Sequence, residues 1–170
     1  MRNRPNILVT GTPGVGKTTF CRQLAQETGM DHVNVGQLIK DERLFTEWDD
    51  EKNCSIFDED LVVNRLEDIV SEGNKIIDFH SCDFMPEEWF DFVYVLRADT
   101  AVLYDRLEKR HYKEEKIREN VECEIFRVLL DEAIEAFGEE KVKELQSDSF
   151  SDLSDNVAAV AAFVNQWVAP

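Results

Sequence analysis

The sequence predicts an α/β protein in which one parallel β-sheet is covered on both faces by helices. Near the start of the chain, a short apolar run ends in a glycine-rich loop and is followed by a helical pattern. Further short apolar runs alternate with segments whose apolar residues recur at helical spacing. The 170 residues suit one compact domain, and no repeat or low-complexity linker divides them. We therefore expect a single domain over residues 1–170, with ligands at the carboxyl ends of the strands.

Five apolar runs are predicted to form the strands of the sheet. The first run covers residues 7–10, and the helix after the glycine loop is predicted over residues 17–28. The other four strands are predicted at residues 32–35, 75–79, 92–96 and 142–145. Because crossovers between parallel strands are right-handed and carry the helices, this order predicts a five-stranded parallel sheet in a three-layer α/β/α arrangement.

Three apolar stripes at helical spacing are predicted to face the core. They consist of Leu61, Val62, Leu66, Ile69 and Val70, of Val121, Ile125, Val128 and Leu129, and of Leu153, Val157, Val160, Val164 and Trp167. Residues 41–56 differ, because they are polar and only weakly periodic. We expect this segment to form a mobile insert in the otherwise regular alternation.

The chain is strongly acidic, with 36 Asp and Glu residues against 19 Lys and Arg residues and a formal net charge of −17. Affinity for nucleic acid comes largely from Lys and Arg that neutralise phosphates, so strong direct binding to nucleic acid is not expected. A basic protein partner suits this charge better. The acidic clusters are predicted to be solvated faces that aid solubility, with a docking face as the alternative. They are Asp49-Asp50-Glu51, Asp58-Glu59-Asp60, Glu87-Glu88 and Glu139-Glu140.

The four cysteines are Cys21, Cys54, Cys82 and Cys123. No Cys-x-x-Cys pair is present to hold zinc, and the wide spacing does not indicate a disulfide framework. We expect reduced thiols and no zinc. The N-terminal residues lack the apolar core of a signal peptide, and no apolar stretch approaches the length of about 18 residues that spans a membrane. The sequence therefore predicts a protein of the cytosol or nucleus with no membrane association.

The glycine loop carries the clearest chemical signal. It reads Gly11-Thr12-Pro13-Gly14-Val15-Gly16-Lys17-Thr18, which matches the phosphate-binding pattern G-x-x-x-x-G-K-[ST] between a strand and a helix. Its glycines let backbone N–H groups turn toward phosphates, and the helix N-terminus adds a favourable dipole. In this pattern Lys17 bridges the β- and γ-phosphates and Thr18 is a ligand of Mg²⁺. The sequence therefore predicts that this loop binds MgATP.

Asp78 and His80 are candidate catalytic residues at the end of the third predicted strand. An Asp at the carboxyl end of the strand beside the phosphate loop is the expected holder of the magnesium ion's water shell. His80 lies two residues later, so it points to the same side if the strand continues, where it can orient a water molecule or a phosphate. The alternatives are a turn residue for Asp78 and a hydrogen-bonded structural histidine for His80.

Arg106 and Arg110 lie four residues apart and therefore on one face of a predicted helix. Arginine is the usual residue for neutralising the charge of a transferring phosphoryl group, so both are candidates for clamping the phosphates. The alternative is that they are solvated and paired with Glu108 or Glu114. Arg97, at the end of the fourth predicted strand, is open to both interpretations.

Residues 5–19 resemble the adenylate kinase isoenzyme 6 family, whose members are small eukaryotic and archaeal nucleotide kinases also implicated in ribosome assembly. Seven further segments follow in family order over nearly the whole chain. They are Asn34-Val35-Gly36, Asp58-Glu59-Asp60, Asp78-Phe79-His80, Cys82-Asp83-Phe84, Val95-Leu96-Arg97, Arg106-Leu107-Glu108 and Cys123-Glu124-Ile125-Phe126.

The resemblance implies a P-loop NTPase fold like that of the nucleoside monophosphate kinases. It also implies a monophosphate-binding insert at about residues 34–57 and a short lid at about residues 109–119, which is too small for a zinc site. The implied reaction converts ATP and AMP into two ADP by alignment and charge stabilisation, without a covalent intermediate. The protein is expected to be a monomer.

The implied site residues fall into four groups. The catalytic group is Lys17, Asp78, His80 and Arg110. The contacts to ATP are Gly14, Val15, Gly16, Lys17, Thr18, Thr19, Arg106 and Arg110, the contacts to AMP are Asn34, Gly36 and Lys40, and Mg²⁺ is held by Thr18 and, through water, by Asp78.

The chain departs from the family pattern in four places. The segment after Asp78 lacks the arginine that grips the AMP phosphate in other adenylate kinases, and Lys40 stands where relatives carry arginine. Because a lysine is a point charge without a planar fork, it attracts a phosphate but does not hold it bidentately, so weak AMP binding is expected. Ser149 stands where a family lysine approaches the nucleotide, and Ser81 replaces a frequent glycine. Neither of these two changes removes a catalytic group.

Two functions from different classes remain open. One is an adenylate kinase with ATPase activity that acts in small ribosomal subunit assembly. The other is primarily an ATPase-gated assembly factor with weak kinase activity that binds a basic small-subunit ribosomal protein, in the nucleus and cytoplasm. A regulatory GTPase is disfavoured, since the chain has no Asn-Lys-x-Asp segment. Kinases of other small molecules share the loop and the fold, so the fold does not identify the phosphate acceptor.

Overall fold

The computed structural model describes residues 2–49 and 54–170. The strands in these ranges are β1 (Ile7–Thr10), β2 (Asp31–Asn34), β3 (Phe45–Asp49), β4 (Cys54–Phe57), β5 (Lys75–Asp78), β6 (Phe92–Arg97) and β7 (Val142–Gln146). The α-helices are α1 (Lys17–Thr28), α2 (Val35–Glu42), α3 (Glu59–Ser71), α4 (Thr100–Lys109), α5 (Glu114–Ile125), α6 (Val128–Phe137) and α7 (Phe150–Gln166). A single turn of 3₁₀ helix covers Glu87–Trp89.

The five predicted strands form one parallel sheet in the order β2-β5-β1-β6-β7. β1 lies at the centre, and all of its residues are buried. The predicted α/β class and five-stranded parallel sheet are confirmed. The second predicted strand is shifted by one residue, because Val35 begins α2 instead of ending β2. The Asn34 side chain caps that helix by accepting a hydrogen bond from the backbone N–H of Gln37 at 3.0 Å.

Each face of the sheet has its own apolar cluster, because successive side chains of a strand point to opposite faces. On one face, Ile7 and Val9 pack with residues of α1, α4 and α7. On the other face, Leu8 packs with residues of α3 and α6. All four residues of β1 are completely buried. The helices therefore cover both faces, as the three-layer prediction requires.

The stripe predicted from Val121 to Leu129 is not one continuous core face. α5 ends at Ile125 and α6 begins at Val128, and between them Arg127 has a left-handed backbone with a φ of 57°. This residue interrupts the helical periodicity, and 55% of the Ile125 surface is exposed. Leu61, in the first turn of α3, is also exposed. The core predictions for Ile125 and Leu61 are therefore wrong.

The segment predicted to be a mobile insert contains regular structure. After α2, strands β3 and β4 pair as an antiparallel hairpin in which Phe45 lies opposite Phe57. Residues 50–53, which include part of the acidic cluster Asp49-Asp50-Glu51, lie outside the described residues. The mobility of the insert stays a prediction.

The cysteines whose side chains are described, Cys21, Cys82 and Cys123, are free thiols. Cys21 and Cys82 are completely buried, whereas Cys123 is partly exposed. In the part of the chain that the structure describes, no helix is long and apolar enough to cross a membrane.

A buried asparagine joins the start of the central strand to its neighbours. Asn6 is completely buried, and its side-chain Nδ2 donates to the backbone oxygens of Val70 at 2.8 Å and Trp89 at 3.1 Å. Its Oδ1 accepts from the N–H of Lys75 at 3.2 Å, and its own N–H donates to the Asp91 carboxylate at 2.9 Å. One side chain therefore fixes the end of α3, the start of β5 and the segment before β6 around β1.

Replacing Asn6 with Ala should destabilise the protein strongly. The change leaves a buried N–H and two buried backbone oxygens without these partners, and we expect the free energy of unfolding to fall by about 2–4 kcal/mol. Asn156→Ala is the matched control, because Asn156 makes an exposed bond to the Gln146 oxygen, and it should cost less than about 1 kcal/mol. Chemical denaturation of both variants measures the difference. Equal losses would contradict the importance of the Asn6 network.

Candidate active site

The glycine loop between β1 and α1 turns under tight steric limits. Gly11 has a φ of 146°, and a Cβ atom there would lie 2.7 Å from the backbone oxygen of Leu96. Gly14 has a φ of 97°, and a Cβ atom there would lie within 2.9 Å of the Leu103 and Leu107 side chains on α4. Both positions therefore need glycine for conformation and for space. The loop lies between the end of β6 and α4, and close contact with these two elements fixes its backbone shape.

Lys17 begins α1 and turns back over the loop. Its Nζ donates to the backbone oxygens of Gly11 at 2.8 Å and Thr12 at 3.2 Å. Burial lowers the pKa of Lys17 to about 8, although the nearby Asp78 carboxylate acts in the opposite direction. Because phosphate oxygens favour the charged ammonium, nucleotide binding is expected to raise this pKa again. The position suits the predicted contact to the β- and γ-phosphates.

Asp78 ends β5 and is 4% exposed. It lies in register with Val9 of β1, directly beside the strand that leads into the glycine loop. One of its carboxylate oxygens, Oδ2, accepts hydrogen bonds from the Thr18 hydroxyl at 3.1 Å and makes a 2.9 Å contact with Nε2 of His32. Thr18 and Asp78 thus bring hydroxyl and carboxylate oxygens together, and such oxygens are the ligands that Mg²⁺ prefers. The residues present fit a magnesium site.

His32 was not among the site residues predicted from the sequence. It lies on the edge strand β2, and the parallel pairing of β2 with β5 brings its ring to the Asp78 carboxylate. The side chain of His32 is 18% exposed, so it reaches the site from a largely buried position. No motif marks this histidine, because its contact depends on strand order.

His80 lies just beyond β5 at the mouth of the site, where part of its surface is exposed. Its ring centroid is 4.6 Å from that of Phe79. Partial withdrawal from water lowers the pKa of His80 to about 4, with the positive charge of Lys17 as the second cause. The imidazole is therefore neutral at pH 7 and can accept a hydrogen bond from a water molecule.

One cavity of about 160 Å³ brings most of the predicted site residues together. It is lined by Pro13, Gly14, Gly16, Lys17, Thr18, Asn34, Gly36, Asp78, Phe79, His80 and Arg110. The lining of the cavity includes all four predicted catalytic residues, and it also includes Asn34 and Gly36 from the predicted AMP site. A cavity of this size at the glycine loop suits phosphate groups, with the rest of a nucleotide lying outside it.

The remaining predicted contacts lie outside this cavity. Lys40 is exposed on α2, and Thr19 is exposed on α1. Val15 is buried in the loop, and its backbone oxygen accepts from the Arg106 guanidinium at 3.3 Å. Arg106 therefore packs against the glycine loop, and a direct contact to phosphate stays a prediction. Ser149 caps α7 by accepting from the N–H of Asp152 at 3.1 Å.

The two arginines on α4 are not paired as the alternative interpretation supposed. Among the ion pairs of the described residues, none joins Arg106 or Arg110 to Glu108 or Glu114. Arg110 follows the last residue of α4 and lines the phosphate cavity. This location agrees with the predicted clamp on the phosphates.

Arg97 has a structural partner that the sequence did not predict. Its Nε donates to Oε1 of Glu124 at 2.9 Å, and its terminal nitrogens donate to the Glu124 backbone oxygen and to Glu144. Glu124 is 3% exposed and also accepts from the N–H of Ala98 at 2.9 Å and from the Thr12 hydroxyl at 3.3 Å. No local signal distinguishes Glu124 from the exposed Glu122 two residues earlier on α5, so only the tertiary contacts identify it.

A serine supports the loop from the opposite side. The Ser147 hydroxyl is buried and donates to the backbone oxygen of Val15 at 2.7 Å. Its own N–H donates to the backbone oxygen of Arg97 at 2.7 Å. The ends of β6 and β7 are therefore joined to the glycine loop, and the loop is fixed before any nucleotide arrives.

Sequence comparison relates the chain to known proteins. A family model described as "AAA domain" matches residues 7–127. The "Adenylate kinase isoenzyme 6 homolog" of Dictyostelium discoideum is 43% identical over 166 residues, which cover 98% of this chain and 95% of that protein. The protein of the same name from Caenorhabditis elegans is 43% identical over 168 residues, which cover 98% of this chain and 92% of that protein.

Two solved structures share the fold at low sequence identity. Shikimate kinase from Bacteroides thetaiotaomicron matches with a TM-score of 0.66 at 18% identity, over 95% of this chain and 98% of that one. A gluconokinase from Sinorhizobium meliloti 1021 matches with a TM-score of 0.60 at 14% identity, over 97% of this chain and 98% of that one. At these identities the likeness shows the fold alone, which is that of the P-loop kinases.

Replacing Glu124 with Gln should destabilise the loop support. The amide has a similar shape but carries no charge, and its NH₂ group must face donors on Arg97 or Ala98 that previously met carboxylate oxygens. We expect the free energy of unfolding to fall by about 2–4 kcal/mol. The control is Glu122→Gln, an exposed neighbour on α5 that should change stability by less than about 0.5 kcal/mol. Urea denaturation of both variants measures the difference. An unchanged free energy of unfolding in Glu124→Gln would contradict the role of Glu124 in supporting the loop.

The affinity for nucleotide should fall at alkaline pH. In the free protein Lys17 loses its proton near pH 8, and only the charged form attracts phosphate, so raising the pH above about 8 favours the unbound state. We expect the association constant for MgADP to fall by up to about tenfold per pH unit above 8, until the pKa of the bound form is reached. Calorimetric titration from pH 7 to 9.5 measures this. Lys17→Arg should not show the fall, because arginine stays charged, and a flat native profile would contradict the prediction.

Proposed function

Because the chain belongs to the adenylate kinase isoenzyme 6 family, we propose that it transfers the γ-phosphoryl group of ATP to AMP and also hydrolyses ATP. Nucleotide kinase activity follows from the family and from the P-loop kinase fold. AMP as the acceptor, the hydrolytic activity and a role in ribosome assembly are the proposed parts. The observation that carries the proposal is the meeting of Lys17, Thr18, Asp78, His80 and Arg110 in one cavity.

The charges around this cavity suit phosphoryl transfer. Lys17 and Arg110 reach the cavity from different elements, Lys17 from the start of α1 and Arg110 from the position just after α4. Two cations that approach from different directions can neutralise the charge of a transferring group while they hold it in line. Neither residue forms a covalent bond to the substrate in this scheme, so alignment and electrostatics supply the catalysis.

Asp78 and Thr18 are the residues that would hold magnesium with ATP. A bound magnesium ion would neutralise charge on the β- and γ-phosphates during the reaction. The Thr18 hydroxyl now donates to the Asp78 carboxylate, so the two side chains are already next to each other. Asp78 is buried at the end of a rigid strand, which keeps its carboxylate in place.

The proposed acceptor side is formed by the start of α2. Asn34 and Gly36 line the same cavity as the glycine loop, so a second nucleotide can bring its phosphate to this space. Lys40 is exposed one turn further along α2 and attracts an anion without a bidentate grip. This arrangement supports AMP as an acceptor of low affinity.

The proposed hydrolysis assigns a water molecule to His80. The low pKa of His80 keeps the ring neutral at pH 7, so it can accept a hydrogen bond from water at the mouth of the cavity. When no acceptor nucleotide is bound, water has access to the γ-phosphate, and phosphate is released. Kinase and ATPase activities then compete for the same site.

We further propose that this protein acts as a monomer in the nucleus and cytoplasm, and that its partner is a basic small-subunit ribosomal protein. The support is electrostatic, because a net charge of −17 attracts a basic protein and shields its charges from RNA. Under this second candidate function the kinase activity is weak, and the nucleotide state controls the release of the partner.

The two candidates differ in the products that they form from MgATP. ADP and phosphate should be measured with and without AMP, in the native protein and in Lys17→Ala, His80→Ala and Lys143→Ala variants. Lys143 is exposed on β7 and serves as the control lysine. For the kinase we expect ADP formation that depends on AMP and falls by at least about 100-fold in Lys17→Ala. Lys143→Ala should behave like the native protein.

Phosphate release without AMP that is lost in His80→Ala would instead support the ATPase-gated factor. ADP formation that persists in Lys17→Ala would reject both enzymatic proposals, because each requires the phosphate loop.

A further inference from the structure

Three side chains that are distant in sequence meet at Asp78, one of the residues that line the phosphate cavity. The sulfur of Cys21, a ring nitrogen of His32 and a carboxylate oxygen of Asp78 all lie within 4.8 Å of one another. Cys21 is completely buried, and the side chains of Asp78 and His32 are 4% and 18% exposed. The proposed transfer of phosphate uses Asp78 but makes no use of Cys21 or His32.

Thiolate, imidazole and carboxylate together form a donor set typical of zinc and similar borderline divalent ions. Zinc binds such ligands at about 2.0–2.3 Å in a tetrahedron, so the ligand atoms of a formed site stand about 3.3–3.8 Å apart. The contact of His32 with Asp78 is already 2.9 Å. Closing around an ion therefore requires the three atoms to rearrange by about 1 Å, which side-chain rotation can provide.

We propose that the nucleotide-free protein binds a borderline divalent cation, with Zn²⁺ as the leading case, through Cys21, His32 and Asp78, and that this binding inhibits the enzyme. The fourth position is open to water or to the Thr18 hydroxyl, which lies 3.1 Å from the same Asp78 oxygen. When the ion binds, the thiol proton of Cys21 passes to solvent and the sulfur takes the metal. Nε2 of His32 faces the Asp78 carboxylate at 2.9 Å, so its proton must move to Nδ1 or to solvent before Nε2 can bind the ion through its lone pair.

Inhibition follows from the shared carboxylate. Oδ2 of Asp78 accepts from Thr18 and is in contact with His32. An ion held by Cys21 and His32 would engage the same carboxylate that contacts Thr18. Asp78 and Thr18 would then no longer be free to organise magnesium with ATP. The inhibitory half of the proposal rests on the proposed function, whereas the binding half does not.

The buried thiol of Cys21 must lose its proton before its sulfur can bind the ion. Burial raises the pKa of the Cys21 thiol well above its ordinary value, and the neighbouring Asp78 charge is the second cause. The thiol is therefore protonated and unreactive in the metal-free protein. The expectation of no zinc was based on the absence of paired cysteines and on a short lid, whereas this cluster is formed by single residues of α1, β2 and β5.

Cobalt binding tests the site without reference to activity. Co²⁺ bound to a thiolate gives a sulfur-to-metal charge-transfer band, so Co²⁺ is titrated into the nucleotide-free native protein and into Cys21→Ser, His32→Gln and Cys82→Ser variants. Cys82 is the matched control, because it is also completely buried but belongs to the cluster on the other face of the sheet. We expect the band in the native protein and in Cys82→Ser. It should disappear in Cys21→Ser and weaken by at least about tenfold in affinity in His32→Gln.

The absence of a thiolate band in the native protein would overturn the proposal, as would a band that persists in Cys21→Ser. Addition of MgATP should displace the cobalt from the native protein, and binding that is indifferent to MgATP would overturn the shared use of Asp78.

A second measurement tests the inhibition. ADP formation is followed in excess Mg²⁺ as Zn²⁺ is added. The Zn²⁺ concentration for half-inhibition should rise at least about tenfold in Cys21→Ser and stay unchanged in Cys82→Ser. Equal sensitivity of the native protein and Cys21→Ser would overturn the inhibitory role. The cobalt titration does not require enzyme activity, so it tests the binding site even if the protein proves inactive.

Discussion

A buried carboxylate holds the phosphate-binding part of this protein together. Glu124, near the end of α5, accepts from the Arg97 guanidinium, from the N–H of Ala98 and from the Thr12 hydroxyl. An ionised side chain that is 3% exposed is costly to bury unless it is fully paired, and here its two oxygens have three donors. The glycine loop, the end of β6 and α5, whose first half belongs to the predicted lid, therefore share one anchor.

The parallel sheet supplies the second constraint. β1 lies between β5 and β6, so the loop that follows β1 has Asp78 on one side and Arg97 on the other. Asp78 sets the position of the predicted magnesium site, whereas Arg97 serves Glu124 and the support of the loop. Phosphoryl transfer depends on alignment more than on covalent chemistry, so rigid placement of these groups is itself the catalytic contribution of the fold.

The cavity also divides into a rigid part and a part carried by surrounding elements. Lys17, Thr18 and Asp78 belong to the core sheet and the first helix, and their contacts are fixed by buried neighbours. Asn34 and Arg110 lie at the ends of α2 and α4, which connect to the predicted insert and lid. The chemistry common to P-loop kinases is located in the first part. The proposed acceptor side belongs to the second part, which includes Asn34.

Local patterns in the sequence were sufficient for the five strands of the parallel sheet, for the helix after the glycine loop and for the phosphate loop itself, because periodicity and glycine spacing are properties of short segments. They did not predict the hairpin of β3 and β4. They led to two wrong core positions, Ile125 and Leu61, since periodicity does not show where a helix turns or how far its first turn lies from the core. Only the tertiary structure decided that Glu124 supports the loop and that Cys21 and His32 meet Asp78. Those contacts join residues separated by tens of positions, and strand order and helix packing, which no local pattern encodes, determine which of them become neighbours.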